Sequence, residues 1–323
     1  MEKFVFFGGK GGVGKTTVSS AYALTSARAG LRTLLVSTDP AHSTSDVFDQ
    51  SFDDEPRQVT DRENLHVMEI DPEEEVDDHM HEIRRRMGEQ VSAGIVNEID
   101  RQLELAHQTP GAYEAALFDR FIEVMRDSEE YDRVVFDTSP TGGTLRLLSL
   151  PEFLGDWIDR LVQKRTKSID LFEKAAIGER KARRKLENDP IVAHLRQRKE
   201  KFEFARETLR NDAAFFLVMN PDELSIRETD RAVESLREYG LDVDGLVVNR
   251  LTPEPDDDDR GRGGRYLRER VATERERVDQ IHEAFDRPVV AVIESRVEEV
   301  KGDLLDDVAS ELDVEVEREP PRA

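Results

Sequence analysis

The chain has 323 residues, no cysteine, and 47 basic against 71 acidic side chains, a formal net charge of −24. The missing cysteines exclude disulfides, thiolate zinc sites, iron–sulfur clusters and thiol nucleophiles, and so negative a field excludes non-specific nucleic-acid binding, which depends on positive charge. Apolar runs stay below the roughly 18 residues of a spanning helix, and the opening MEKFVFFGGKGG lacks a cleavable leader pattern, so a cytoplasmic protein is expected.

In chain order, short β-branched and apolar runs alternate with helical stretches, the pattern of a parallel α/β sheet. The predicted strands are 3–8, 33–38, 65–70, 133–138, 214–219, 245–249 and 288–293. A helix over Thr16–Ala29 follows the first of them and ends at Gly30. Between the third and fourth strands, Val76, Met80, Ile83 and Met87 fall on one helical face, and Val91, Ile95, Ile99 and Leu103 on another. Pro110-Gly111 breaks this stretch before a helix carrying Phe118, Phe121, Ile122 and Met125. A second helical block, 152–210, separates the fourth and fifth strands. The expected organisation is a core of 1–70, 129–151 and 211–323, with insertions 71–128 and 152–210 forming a helical client or partner subdomain.

Charge is unevenly distributed. Lys164–Lys185 is locally basic and reads either as a solvated helix face or as a landing patch for an anionic membrane surface or acidic partner. The segment 253–265 (PEPDDDDRGRGGR) has no apolar residue and is expected to be a mobile loop. Only 11 of the 47 basic residues are lysine, and aspartate is abundant. In molar salt, where the Debye length is about 3 Å, the repulsion among these carboxylates is screened, so a high-salt cytoplasm is expected.

Gly9-Lys10-Gly11-Gly12-Val13-Gly14-Lys15-Thr16 fits G-x-x-x-x-G-K-[ST], after a strand and at the start of a helix. Glycines let the backbone curl round phosphate oxygens, and the helix N-terminus faces the negative charge. Lys15 is assigned to the β- and γ-phosphates, Thr16 to Mg²⁺ and Thr17 to the α-phosphate. Phosphoryl transfer needs further carboxylates at the strand ends. Asp137 takes the metal-facing role, and Asp39 the positioning of, or proton acceptance from, the attacking water. The Asn-Lys-x-Asp segment that reads guanine is missing after the late strands, so ATP is the expected nucleotide.

Gly8–Thr17, Ser37-Thr38-Asp39-Pro40-Ala41-His42-Ser43 and Asp137-Thr138-Ser139-Pro140-Thr141-Gly142-Gly143-Thr144 together resemble the ArsA/Get family, with the motifs in the same order and spacing. The resemblance continues through Pro110-Gly111, Leu224–Thr229 and Glu298–Gly302, over nearly the whole chain. It implies a P-loop NTPase with a deviant Walker A motif. Lys10 matches the lysine that reaches the partner's nucleotide in a homodimer. Asp39 matches the water-activating residue, also counted with Thr16 and Asp137 in the metal set. Asn249 matches the adenine-contacting asparagine, with Pro288 and Val289 near the base. Ser139 and Gly143 depart from the family's second switch, which has Ala and His there. No cysteine is available for the zinc clasp of the eukaryotic targeting ATPases or for thiolate binding of a metalloid.

What the resemblance implies is a homodimeric Mg-dependent ATPase that chaperones or targets hydrophobic, tail-anchored membrane proteins, transiently at the membrane surface. The alternative is the energising subunit of an arsenite or anion pump docked to a membrane partner. Candidate groove residues are Ile95, Ile99, Leu103, Phe118, Ile122 and Met125, each of which could equally be core. A halophilic archaeal member of the family is expected, with no zinc.

Overall fold

Seven apolar runs become strands where their β-branched content favours a pleated, buried surface. In the computed structural model, which describes residues 2–38, 43–71, 112–137, 159–160, 190–259 and 261–312, they are β1 (Phe4–Gly8), β2 (Thr33–Ser37), β4 (Leu65–Glu69), β5 (Arg133–Asp137), β6 (Ala213–Met219), β7 (Gly245–Leu251) and β8 (Val289–Glu294). An eighth, β3 (Arg57–Gln58), is two exposed residues paired antiparallel to β4. So short and polar a strand has no periodicity to read. The sheet order is β3-β4-β2-β5-β1-β6-β7-β8, and every other pairing is parallel.

The chain divides into two compact units, 1–145 with 212–323, and 146–211. In the first unit, helix α1 (Lys15–Arg28) runs from β1 to β2. Its sequence KTTVSSAYALTSAR supplies small residues at close range, and nine of its residues are buried. Val18 and Tyr22 join Val5, Phe7, Leu35, Val135 and Phe216 in one apolar cluster, with Leu305 and Val308 of α7 (Asp303–Ser310). The far end of this layer is tied by Asp306, which pairs with Arg28 and, at 2.9 Å, with Arg62.

The opposite face is aromatic. Phe6 stacks between Phe136 and Phe215, at 4.5 and 5.1 Å. Phe121 of α3 (Ala112–Asp127) stands edge-on to Phe136 at 5.2 Å. Phe118, Ile122 and Met125 are buried core beneath α3, the alternative held open for them beside the groove reading. The other groove candidates, Ile95, Ile99 and Leu103, lie outside the described residues, as do the helical faces from Val76 onward and Pro110-Gly111.

Helix α5 (Glu223–Glu238) follows β6. Asp222 caps it by accepting from the Ser225 N–H at 2.9 Å. Helix α6 (Arg262–Ala284) corrects the loop expected over 253–265, because it starts at Arg262. Apolar content could not mark this start. It is fixed by Arg268, which donates to the carbonyls of Asp256 and Asp259 and folds the acidic segment against the helix. The short α2 (Ser43–Phe48) completes the first unit. In the second unit, α4 (Pro190–Asn211) opens on proline, whose missing N–H costs nothing at a first helical position. It buries Phe202, Ala205 and Leu209, and Lys199 pairs with Asp159 at 2.7 Å. The basic run Lys164–Lys185 lies outside the described residues.

Candidate nucleotide site

All the parallel strands end on one edge of the sheet, and a loop leaving β1 there has β5 on one side and β6 on the other. The segment 9–14 makes that loop. Gly9 has φ 146°, and a Cβ on it would lie 2.1 Å from the Val218 carbonyl oxygen, so only glycine lets the loop pass so close to β6. Gly14 has φ 90° and is the N-cap of α1, with no side chain capping the helix. A glycine N-cap thus leaves the start of α1 without a capping side chain, as an anion site requires.

The two loop lysines are placed differently. Lys15 Nζ donates to the Lys10 carbonyl at 3.1 Å, which curls its ammonium back across the loop. Lys10 stands on the outer rim, more than a third exposed, with its Nζ 3.6 Å from Glu228 of α5. Gly11 and Gly12 are exposed, Val13 is buried, and Thr16 and Thr17 are half-buried on the first turn of α1. A loop with two ammonium groups, a hydroxyl at its end and an uncapped helix behind it fits a nucleotide triphosphate with a hard cation. Thr16 and Asp137 are the described residues that would hold Mg²⁺. No group of three or more His, Cys, Asp or Glu forms a protein-only metal cage among the described residues.

Asp137 ends β5 in register with Phe7 of β1 and Ser37 of β2, one position short of the loop, and is buried. Its carbonyl accepts from the Thr38 N–H at 3.3 Å. Asp39 itself lies outside the described residues, together with Ser139 and Gly143 of the second switch. What flanks Asp39 is firmly tied. On the near side Ser37 accepts from the Ile70 N–H at 2.9 Å. On the far side the buried Glu69 carboxylate accepts from Ser45 N–H at 2.9 Å and Ser45 Oγ at 2.7 Å. Sequence reading passed over Glu69; its position at the end of β4, beside the ends of β2 and β5, was the available signal.

The expected base contacts fare differently. Asn249 lies beside the loop and is tied to it: Nδ2 donates to the Val13 carbonyl at 2.7 Å, and Oδ1 accepts from the Arg250 N–H at 2.9 Å. Pro288 and Val289 are not brought to the site. They stand at the amino end of β8, level with Leu246, whereas the loop lies at the carboxyl ends. The end of β8 that reaches the site is Ile293–Arg296, which with Gly14, Thr17, Asn249 and Arg250 lines a cavity of about 310 Å³. The rule that ligands sit beyond the carboxyl ends of parallel strands pointed there from the start.

No described helix is long and apolar enough to cross a membrane. The family model for anion-transporting ATPases matches residues 2–313. A protein of Aquifex aeolicus (strain VF5), provisionally named arsenical pump-driving ATPase 2, is 36% identical over 92% of this chain and 94% of its own length. The "ATPase get3" of Neurospora crassa is 33% identical over 93% of this chain and 87% of its own. A provisionally named arsenical pump-driving ATPase of Halobacterium salinarum is 34% identical over 96% of this chain, but over 44% of itself. With its glycine loop, its strand-end aspartate and relatives matching along nearly its full length, the chain belongs to the ArsA family of anion-transporting ATPases and is an ATP-hydrolysing enzyme.

Proposed function

We propose that two copies of this chain form a Mg-dependent ATPase that shields and targets hydrophobic, tail-anchored membrane-protein segments. The observation that carries this reading is Lys10. Its ion pair with Glu228 is long and more than a third exposed, so breaking it costs little. The ammonium is thus available to cross a dimer interface and place positive charge where the transition state of the partner's reaction spreads negative charge. Lys15 stays with the β- and γ-phosphates of its own nucleotide. Thr16 and Asp137 would hold the cation, which would neutralise charge on the phosphates. Asp39 orients the attacking water and accepts its proton. ATP binding closes the dimer and hydrolysis opens it.

A second reading, an anion-pump ATPase, is supported by the family description and by the name of the Aquifex relative. Against it, the sequence has no cysteine to bind arsenite. Arsenite-stimulated hydrolysis would establish it, and indifference to arsenite removes it.

The decisive experiment is Lys10→Ala. Turnover is expected to fall by more than about 100-fold, as for loss of a transition-state cation, while ATP affinity stays within about threefold. Undiminished hydrolysis by Lys10→Ala, or by isolated monomers, overturns the trans role. Asp39→Asn with ATP is expected to trap the closed dimer, and chains bearing one C-terminal apolar span should co-purify with it. Neutralising Lys164–Lys185 is expected to weaken binding to anionic vesicles.

A further inference from the structure

The pairing of β7 with β8 shifts register at two places, between Leu246 and Val247 and between Val248 and Leu251, and the second lies at the carboxyl ends. Val248 pairs with Val292 and Leu251 with Glu294, so Asn249 and Arg250 together oppose the single residue Ile293. This is a bulge, a feature that sits beside active sites because it re-aims side chains. It leaves Arg250 at φ 64°, a left-handed backbone that a long side chain adopts only at a cost. The surrounding bonds hold it there: Asn249 accepts from the Arg250 N–H and donates to Val13 in the phosphate loop. One amide thus joins the loop to the bulge.

Three cations line the cavity. Arg296 is committed to Glu311 and to the Glu294 carbonyl, and Lys301 to Glu299. Arg250 is exposed and has no recorded ion pair among the described residues. Its position along the sheet sets which part of a nucleotide it can meet. Asp137 lies on β5, one strand to one side of β1; Arg250 lies on β7, two strands to the other. At about 4.8 Å per strand, β7 is about 10 Å from the loop-bearing strand, and on the side away from the chemistry. A triphosphate seated in loop 9–16 with its γ end toward Asp137 has its nucleoside end over β7 and β8.

We infer that Arg250 is the base-holding residue of this ATPase, its planar guanidinium laid over the purine ring beside the Asn249 amide. This inference rests on the nucleotide reading of the site and adds the residue that grips the base. The strained backbone is then the means of aiming the guanidinium at the cavity.

Arg250→Gly tests it cleanly, because glycine accepts φ 64° and removes only the side chain. With the full chain and Mg²⁺, the dissociation constants of ATP and of inorganic tripolyphosphate are measured for wild type, Arg250→Gly and Arg250→Lys. Arg250→Gly is expected to bind ATP about tenfold more weakly, the usual scale of a partly desolvated cation–ring contact, with an unchanged or higher melting temperature and unchanged tripolyphosphate affinity. Arg250→Lys should recover only part of the loss, since it keeps the charge without the plane. Equal ATP affinity in Arg250→Gly overturns the inference. So does an equal loss for both ligands, which would place the guanidinium on the phosphates, or full recovery by lysine. A wild-type protein that binds tripolyphosphate and not ATP would instead overturn the nucleotide reading itself.

Discussion

Gly9 and Gly11 stand two residues apart in one loop, yet their substitution has opposite expected outcomes. A methyl group on Gly9 meets the Val218 carbonyl, and its φ of 146° disfavours any side chain. Gly9→Ala is therefore expected to cost at least about 2–3 kcal/mol in denaturant unfolding and to abolish nucleotide binding in titration. Nothing lies within 4 Å of a Cβ on Gly11, so Gly11→Ala should keep stability within about 0.5 kcal/mol. The motif named both glycines, but it could not rank them, because the atom that separates them belongs to β6, over 200 positions away. The same holds at Asn249. Its place beside the loop was legible from its position near the carboxyl end of a strand, but the bonds of its amide were not.

At the scale of elements, two joints can be tested. The Asp222 cap satisfies an N–H at the start of α5, and Asp222→Ala is expected to lower stability by about 1 kcal/mol, read as a fall in the unfolding midpoint. The second joint ties the starts of β6 and β7, where Asp244 accepts from the Phe215 N–H at 2.8 Å and Phe215 returns its carbonyl to Asp244 N–H at 2.8 Å. Partial desolvation raises the Asp244 carboxyl above its ordinary range, although the residue is exposed and solvent screening keeps the effect small. The Phe215 N–H and Arg287 oppose that shift, and Glu2 and Asp242 add to it. A carboxyl raised on folding favours the native state while protonated, below about pH 4, and that contribution is lost as pH rises through the native value. Asp244→Asn keeps the acceptor and cannot ionise. It should melt above wild type at pH 7, with the gap closing toward pH 4; a gap that widens on acidification would contradict the desolvation assignment. The apolar runs exposed seven strands to sequence reading. They missed β3 and the start of α6, which owe their existence to a partner strand and to Arg268 rather than to any local pattern.

For the whole molecule, a net charge of −24 works against compaction in dilute buffer, and the ion pairs on the surface, such as Arg57–Asp53 and Arg227–Glu223, are too exposed to offset it. The melting temperature is expected to rise steeply between 0.1 M and 2 M KCl. A flat profile would remove the high-salt reading. The strand β1, its glycine loop and α1 form one contiguous stretch in which residue type dictates backbone shape, so the sequence alone located the loop and named the lysines and threonines proposed to serve it. The cavity beside that loop is lined by Asn249–Arg250 and Ile293–Arg296, segments that meet because β7 and β8 are neighbours whose register shifts twice. Strand order and register are properties of pairing across the sheet, and no local run of residues records them. Pro288 and Val289 accordingly stand at the amino end of β8, away from the loop.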